Sequence, residues 1–399
     1  MRLLYQLVSL LQAATLTHGQ LIFHPGESEF KLADTSVAPN IRVAPDEALG
    51  VERTAKDVAR DFGRVIGVNG TVTVSTEAPE TSQPIIIAGT IGHSSLIDAL
   101  ISDGKLDVSG VEGEWESYVS RIVEGPFNGT AWALVIAGSD RRGTIYGLYD
   151  LSEQMGVSPW YWWADVPVKT KTDIWVSPAG KRQKSPSVKY RGFFINDENP
   201  ALLGWVSANF GRFNSDFYSL VFELCLRLKG NYIWPAMWGK SFYVDDPESG
   251  PLANEYGVIM GTSHHEPMAR SESEQNRFLE GDWDWRDNQA GVVKFFQEGI
   301  DRAKGWDTMW TMGMRGKGDA ASPTLTAQDL EDLIQVQQSL LSEAFNTSDV
   351  GDIPQTWVLY KVSNKTDAPV EQQLTVCAGS QRILCSRPRG PGLSDSPLD

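Results

Sequence analysis

The chain has 399 residues, 41% of them hydrophobic and 22% charged, a composition long and apolar enough for two folded domains and one that excludes an intrinsically disordered chain. Its 35 Lys and Arg against 51 Asp and Glu leave a formal net charge of -16. That balance argues against a nucleic-acid partner, whose phosphates need a basic stripe, and against an electrostatic anchor on anionic membrane.

In chain order, Met1 to Gly19 reads as a secretory signal: Arg2 supplies the positive start, Leu3 to Leu16 is mostly apolar, and a small residue precedes Gln20. The apolar stretch is too short and interrupted to span a bilayer, and no other run qualifies. Acceptor sequons at Asn69, Asn128, Asn346 and Asn364 fit a secreted, extracellular protein. Of the three cysteines, Cys225 falls on the apolar side of a helical pattern and reads as a small core residue, while Cys377 and Cys385 lie near the carboxy terminus; no spacing suggests zinc. Residues 20–180 read as an amino-terminal α/β domain. Pro84 to Gly89 and Trp132 to Gly138 are short apolar runs ending in glycine, the pattern of buried strands. Ser95 to Asp103 is helix-like, and Gly138-Ser139-Asp140 opens a helix through Tyr146, Tyr149 and Met155. That strand–turn–helix lacks a phosphate-binding glycine fingerprint and is not read as a nucleotide site. Trp160-Tyr161-Trp162-Trp163 closes the domain, either as packed core or as the wall of a cleft, and Lys181 to Pro186 reads as a linker.

Residues 186–361 repeat a strand–helix rhythm. Tyr190 to Ile195, Tyr232 to Met237, Val258 to Thr262 and Thr308 to Met314 read as strands. Asn214 can cap a helix carrying Phe217, Leu220, Val221, Leu224 and Leu228, which Gly230 stops; Thr326 with Asp329 starts another in capping-box fashion. Strands alternating with helices imply a parallel sheet, and four such units fit the first half of a (β/α)8 TIM-type barrel, with a doubly wound open sheet as the alternative.

The polar residues collect just after each strand: Asn196-Asp197-Glu198, then Trp234-Pro235-Ala236-Met237-Trp238, then Ser263-His264-His265-Glu266-Pro267, then Met314-Arg315-Gly316-Lys317-Gly318-Asp319. In a parallel barrel these ends share one rim, where active sites sit. Each element has a bland reading: Asp197 and Glu198 as caps, one of the adjacent His264 and His265 as a structural residue on the far face of its strand, Arg315 as a surface ion pair, Asp319 as a loop residue. Together they suggest an enzyme acting on an acidic sugar. Paired carboxylates suit cleavage of a glycosidic bond, Trp234 and Trp238 offer stacking faces, and Arg315 with a histidine offers positive partners for a uronate. A metal site of His264, His265 and Glu266 is weakly supported, since adjacent histidines rarely share one ion.

These stretches resemble glycoside hydrolase family 115, the xylan α-1,2-glucuronidases. The resemblance is carried by Arg191 to Glu198, Trp234 to Trp238, Gly261 to Pro267 and Gly313 to Gly316, and upstream by Gly138 to Gly147 and Ser158 to Asp165. It implies a secreted hydrolase with no organic cofactor, and no metal is expected. Such an enzyme removes glucuronic acid or its 4-O-methyl form from glucuronoxylan or aldouronic oligosaccharides with inversion. The implied fold is a small α/β domain followed by a catalytic barrel. By that resemblance Asp197 matches an active-site acid, Asp319 a carboxylate that is a candidate for one half of the acid/base pair, and His264 or His265 with Arg315 the contacts to the uronic acid. Glu198 joins the two aspartates as an expected catalytic acid, and Trp234, Trp238 and Glu266 join the histidines and Arg315 as expected substrate contacts. An inverting pair stands about 6.5–9.5 Å apart to admit water.

The resemblance stops after Thr356-Trp357-Val358-Leu359-Tyr360-Lys361, where Val362 stands in place of the family's Glu. Residues 362–399, rich in Gly, Pro, Ser and Arg, read as an aberrant, disordered tail of a carboxy-terminally truncated chain, which is expected to release little or no glucuronic acid. The competing expectations are a non-catalytic binder of acidic sugars and a metal-dependent barrel hydrolase.

Overall fold

The computed structural model describes residues 21–22, 30–77 and 83–358. The expected signal segment, Cys377, Cys385, Asn364 and the expected tail lie outside the described residues. The chain divides into two compact units, the first comprising Met1–Lys189 with Glu223–Gly230 and Glu255–Gly257. Among the described residues, no helix is long and apolar enough to cross a membrane.

The first unit carries β1 (Leu21–Ile22), β2 (Lys31–Asp34), β3 (Asn40–Val43), α1 (Leu49–Ile66), β4 (Thr71–Val74), β5 (Ile85–Thr90), α2 (Ser95–Ser102), β6 (Tyr118–Glu124), β7 (Trp132–Gly138), α3 (Arg141–Met155), β8 (Asp173–Val176) and β9 (Lys181–Gln183). Six strands form one sheet in the order β4-β3-β5-β7-β6-β9, and β1, β8 and β2 form a second, antiparallel one. The two apolar runs of the sequence are its central strands, β5 and β7, paired in parallel and buried along nearly their whole length. Burial on both faces is why they read as unbroken apolar runs rather than alternating ones. Cys225 is a free, buried thiol.

Two sequence readings change here. Lys181–Gln183, expected in a linker, pairs antiparallel with β6 at the sheet edge. The buried Asp150 carboxylate needs a cation, and the Lys181 ammonium meets both its oxygens at 2.7 Å, which draws the basic triplet onto the sheet. Trp160 and Trp162, one reading of which was packed core, are both exposed. Strand order reverses between β3 and β5, and there Glu47 accepts the Thr90 backbone N–H at 2.6 Å and the Thr90 hydroxyl at 3.0 Å.

The second unit comprises Tyr190–Phe222, Asn231–Asn254 and the chain from Val258 onward. Its elements are β10 (Gly192–Phe194), α4 (Ala201–Phe210), α5 (Ser215–Arg227, as far as Phe222), β11 (Tyr232–Trp234), α6 (Phe242–Asp245), α7 (Ser249–Tyr256, as far as Asn254), β12 (Ile259–Met260), α8 (Glu272–Phe278), α9 (Gln289–Ala303), β13 (Trp310–Thr311), α10 (Ala327–Phe345) and β14 (Gln355–Thr356). The strands β10, β11 and β12 pair in parallel, as do β13 and β14, and a parallel bridge from Met260 to Thr308 joins the two groups. Sheet order therefore follows chain order, and the helices fall between strands as the alternating pattern requires. The unit is mixed α/β; among the described residues no closed barrel forms. Both expected helix starts are present. Asn214 Oδ1 accepts the Phe217 N–H at 3.1 Å, and Thr326 with Asp329 makes the reciprocal capping box of α10. Leu330, Leu333, Ile334 and Leu341 form the buried stripe of that helix.

Pairing of β10 with β11 leaves no space at Gly192, where an added Cβ would lie 1.6 Å from the Tyr232 carbonyl oxygen. Gly204, inside α4, has nothing within 4 Å of such a Cβ. In urea unfolding, G192A should destabilise the second unit by about 2 kcal/mol or more through backbone displacement, whereas G204A should stabilise it by up to about 1 kcal/mol. Equal effects of the two would contradict this packing.

Candidate active site

The site is built in the second unit from segments that leave the strand ends. After β10 the chain delivers Asp197, which is 1% exposed. Its Oδ1 accepts the backbone N–H groups of Met237 (3.0 Å) and Trp238 (3.4 Å), which ties the end of β10 to the end of β11; its Oδ2 is buried with no hydrogen-bond partner. An unpaired buried carboxylate oxygen is costly, and a bound hydroxyl would satisfy it.

After β12 the chain turns at Ser263, His264 and His265. The sequence reading placed the two imidazoles on opposite faces of a strand. They sit instead in a turn, which removes the strand alternation, and their ring centroids lie 4.9 Å apart. The Ser263 hydroxyl meets both Nδ1 atoms, His264 at 3.1 Å and His265 at 3.2 Å. His264 Nε2 reaches Asp319 Oδ1 at 2.8 Å, and His265 Nε2, without a hydrogen bond, faces Glu272 Oε2 at 3.6 Å. Burial, helped by His264 and Arg315, pushes His265 down to about 4. The exposed Trp238 indole stacks against the His265 ring at 5.9 Å and 29° between planes.

After β13 the chain is fixed at Gly313, whose N–H and C=O both pair with the buried amide of Gln337 on α10, at 2.8 and 2.9 Å. Trp283 Nε1 then donates to the Arg315 carbonyl at 2.8 Å. At Gly318 and Asp319 the backbone adopts φ of 66° and 60°, in the left-handed region that glycine enters freely and aspartate tolerates. This turn aims the Asp319 carboxylate back, where Arg315 Nε meets its Oδ1 at 2.9 Å. One carboxylate oxygen therefore faces an imidazole from one strand end and a guanidinium from another strand end.

Of the sequence-derived site residues, the structure brings His264, His265, Arg315 and Asp319 into direct contact, sets Trp238 beside them, and links Asp197 to Trp238 through its backbone N–H. Trp234 is buried, with its indole N–H bonded to the Tyr232 hydroxyl and its ring packed near Phe194. Glu198 is exposed. Glu266 turns inward: it is 2% exposed and accepts the Glu272 backbone N–H at 2.9 Å, bracing the chain into α8. Three further residues were not found by sequence reasoning. Ser263 sits in the quoted motif without a role assigned; Glu272 and Trp283 lie in polar stretches that carry no periodic signal.

His264, His265 and Asp319 place one donor atom each within 4.8 Å of one another. Their chemistry disfavours a dication. The His264 and Asp319 atoms already pair with each other, the same carboxylate oxygen meets a guanidinium, and Glu266, the third member of the metal reading, points elsewhere.

A buried cluster of carboxylates, imidazoles and a guanidinium beside an exposed indole, on the ends of parallel strands, has the make-up of a glycoside hydrolase site. Residues 183–373 match the family described as Glycosyl hydrolase family 115. The structure of a family GH115 4-O-methyl-α-glucuronidase with specificity for decorated arabinogalactans is similar at a TM-score of 0.75 and 29% identity, covering 89% of this chain and 46% of that one. The chain thus spans less than half the length of that relative. The structure of CpGH84D is similar in fold alone, with a TM-score of 0.51 and 10% identity over 91% of this chain and 53% of that one. No curated protein matches the chain.

The inward carboxyl of Glu266 generates a pH prediction. Burial raises it from an ordinary 4.5 to about 8, so the folded state holds this proton more tightly than the unfolded state. Its contribution to stability is complete below about 4.5 and is lost as pH rises through 8. E266Q keeps the acceptor without the titration. Between pH 5 and 8 the wild type should lose stability relative to E266Q by on the order of 1 kcal/mol per pH unit, measured by urea unfolding; parallel pH profiles would contradict the assignment.

Proposed function

We propose that the second unit binds a glucuronic acid residue and hydrolyses its α-1,2 linkage to a polysaccharide such as glucuronoxylan or a decorated arabinogalactan, releasing glucuronic acid or its 4-O-methyl form. The carrying observation is Asp319 Oδ1, held by both His264 and Arg315 in a buried site next to the exposed Trp238. Arg315 offers a planar fork of donors to a uronate carboxylate. Trp238 offers an apolar face to the sugar ring, and Asp197 Oδ2 offers an acceptor to a hydroxyl. A uronate arriving at Arg315 gives the guanidinium a second anion. Asp319 then loses part of its counter-charge and rises toward the protonated form that a general acid needs. A second carboxylate activates water on the opposite face, which inverts the anomeric centre.

The same reading takes the four parallel strands β10 to β13, in chain order, as the first half of a (β/α)8 barrel, with the site on the rim at their carboxyl ends. The amino-terminal stretch and the sequons support an extracellular location.

The test is calorimetry on the 399-residue protein with an aldouronic oligosaccharide and with its uncharged counterpart. The acidic sugar should bind at least about ten-fold more tightly, the worth of one charge-assisted pairing, and R315M should abolish that preference. Equal affinity for both sugars in the wild type would overturn the reading. Release of free glucuronic acid in a parallel assay marks a hydrolase; uronate-selective binding without release marks a binder of acidic sugars.

A further inference from the structure

The contacts on either side of Ser263 form one line. Asp319 Oδ1 meets His264 Nε2 at 2.8 Å, His264 Nδ1 meets Ser263 Oγ at 3.1 Å, Ser263 Oγ meets His265 Nδ1 at 3.2 Å, and His265 Nε2 faces Glu272 Oε2 at 3.6 Å. Two carboxylates are therefore joined through two imidazoles and one hydroxyl. The Asp319 end is buried, while the Glu272 side chain is 20% exposed. The His265 Nε2 that links to Glu272 is buried and has no hydrogen bond of its own.

The donor and acceptor inventory of these groups restricts where protons can sit. A neutral imidazole has one N–H and one lone pair, and a hydroxyl has one hydrogen to donate. If Ser263 donates to one imidazole, it must accept from the other. With Asp319 protonated, its O–H donates to His264 Nε2, His264 Nδ1–H donates to Ser263, Ser263 donates to His265 Nδ1, and His265 Nε2–H faces an ionised Glu272. With Glu272 protonated, every donor reverses: Glu272 faces His265 Nε2, His265 Nδ1–H donates to Ser263, Ser263 donates to His264 Nδ1, and His264 Nε2–H donates to an ionised Asp319.

We propose that this line is a proton relay that recharges Asp319 from Glu272. The proposal rests on the reading of Asp319 as the acid of hydrolysis. In one passage Glu272 gives up a proton and Asp319 gains one. Each ring and the hydroxyl accept one proton and release one, so both imidazoles are left neutral and nothing is oxidised or reduced. The 3.6 Å step at Glu272 closes with a sub-ångström side-chain movement, or through one water or sugar hydroxyl placed between the two atoms. Glu272 then recovers its proton from solvent or from the attacking water. Ser263, His265 and Glu272 are positioning residues in this scheme, acting on the reacting sugar through Asp319. His265 is faced by His264, Asp319, Glu272 and Arg315, and its burial keeps the ring neutral at ordinary pH, as a relay needs.

The relay makes a statement about tautomers that does not depend on turnover. In either state His264 and His265 carry their protons on opposite nitrogens. If Ser263 instead only accepts, both rings are Nδ1–H and the line is broken. The experiment is nitrogen NMR of the full chain with labelled histidine near neutral pH. Opposite tautomers at His264 and His265 are expected. E272Q, which meets the line at His265, should shift the tautomer balance of His264 as well, and in the S263A background E272Q should shift His265 alone. Two Nδ1–H rings in the wild type, or an E272Q effect on His264 that survives S263A, would overturn the relay. Where hydrolysis is measurable, E272Q and S263A should lower kcat about ten-fold or more with KM within two-fold, because they touch proton supply rather than the sugar; a change confined to KM would count against the relay. Opposite, coupled tautomers in a chain that binds no uronate would leave the relay standing and remove the functional reading; identical tautomers in a chain that binds uronate would do the reverse.

Discussion

One carboxylate oxygen organises the second unit. Asp319 Oδ1 takes a hydrogen bond from the β12 side through His264 and an ion pair from the β13 side through Arg315. A buried carboxylate needs such partners, because unpaired burial of its charge is costly. The short strands are packed through Tyr232, Trp234, Ile259 and Met309, and the shared carboxylate adds an electrostatic tie between the two strand ends. The surrounding structure serves that geometry. Gln337 fixes Gly313, Trp283 fixes the Arg315 carbonyl, and consecutive left-handed residues turn the Asp319 side chain back on the loop. The positive partners that steady Asp319 are also the groups a uronate would compete for, so ligand charge and the protonation of Asp319 are linked through Arg315.

Behind this site lies a second set of buried charges with a different purpose. Glu274 on α8 is paired with Arg270 at 2.9 Å and Arg302 at 3.0 Å and accepts the Ser241 hydroxyl at 2.8 Å. Both guanidiniums also lie over aromatic rings, Arg270 over Phe295 and Arg302 over Tyr243. Every oxygen of that carboxylate is engaged and its acidity is strengthened despite burial, so it braces α8 against α9. Asp197 contrasts with it: in an equally buried position its Oδ2 is left without a hydrogen-bond partner, as the proposed contact to a sugar hydroxyl requires.

Much of this was legible in the sequence. The central strands β5 and β7 and the capped helices α3 and α10 carry strong local signals, either unbroken apolar runs or an Asp or Thr followed by a helical stripe. The collection of polar residues after each strand of the second unit was legible for the same reason: parallel strands put successive carboxyl ends on one edge. What local pattern could not show was direction. Trp234 and Trp238 are two indoles on one segment, yet one is buried on the sheet and the other is exposed beside the histidines. Glu266 follows the histidine pair directly but turns onto the backbone of α8, while Glu272, six residues later, reaches back toward His265. Lys181–Gln183 looked like linker because its recruitment depends on Asp150, thirty-one residues earlier in the chain. In each case a contact distant in sequence decides the outcome, and no periodicity records it.

The central claim is that His264 and Asp319, fifty-five residues apart in the chain, act as one unit toward a uronate ligand. A double-mutant cycle on uronate affinity, with H264Q, D319N and the pair, measures this directly. The account predicts strong non-additivity, with a coupling energy of about 1 kcal/mol or more. Losses that simply add would mean that the two side chains meet the ligand independently, and the shared carboxylate would not be the organising contact of the site.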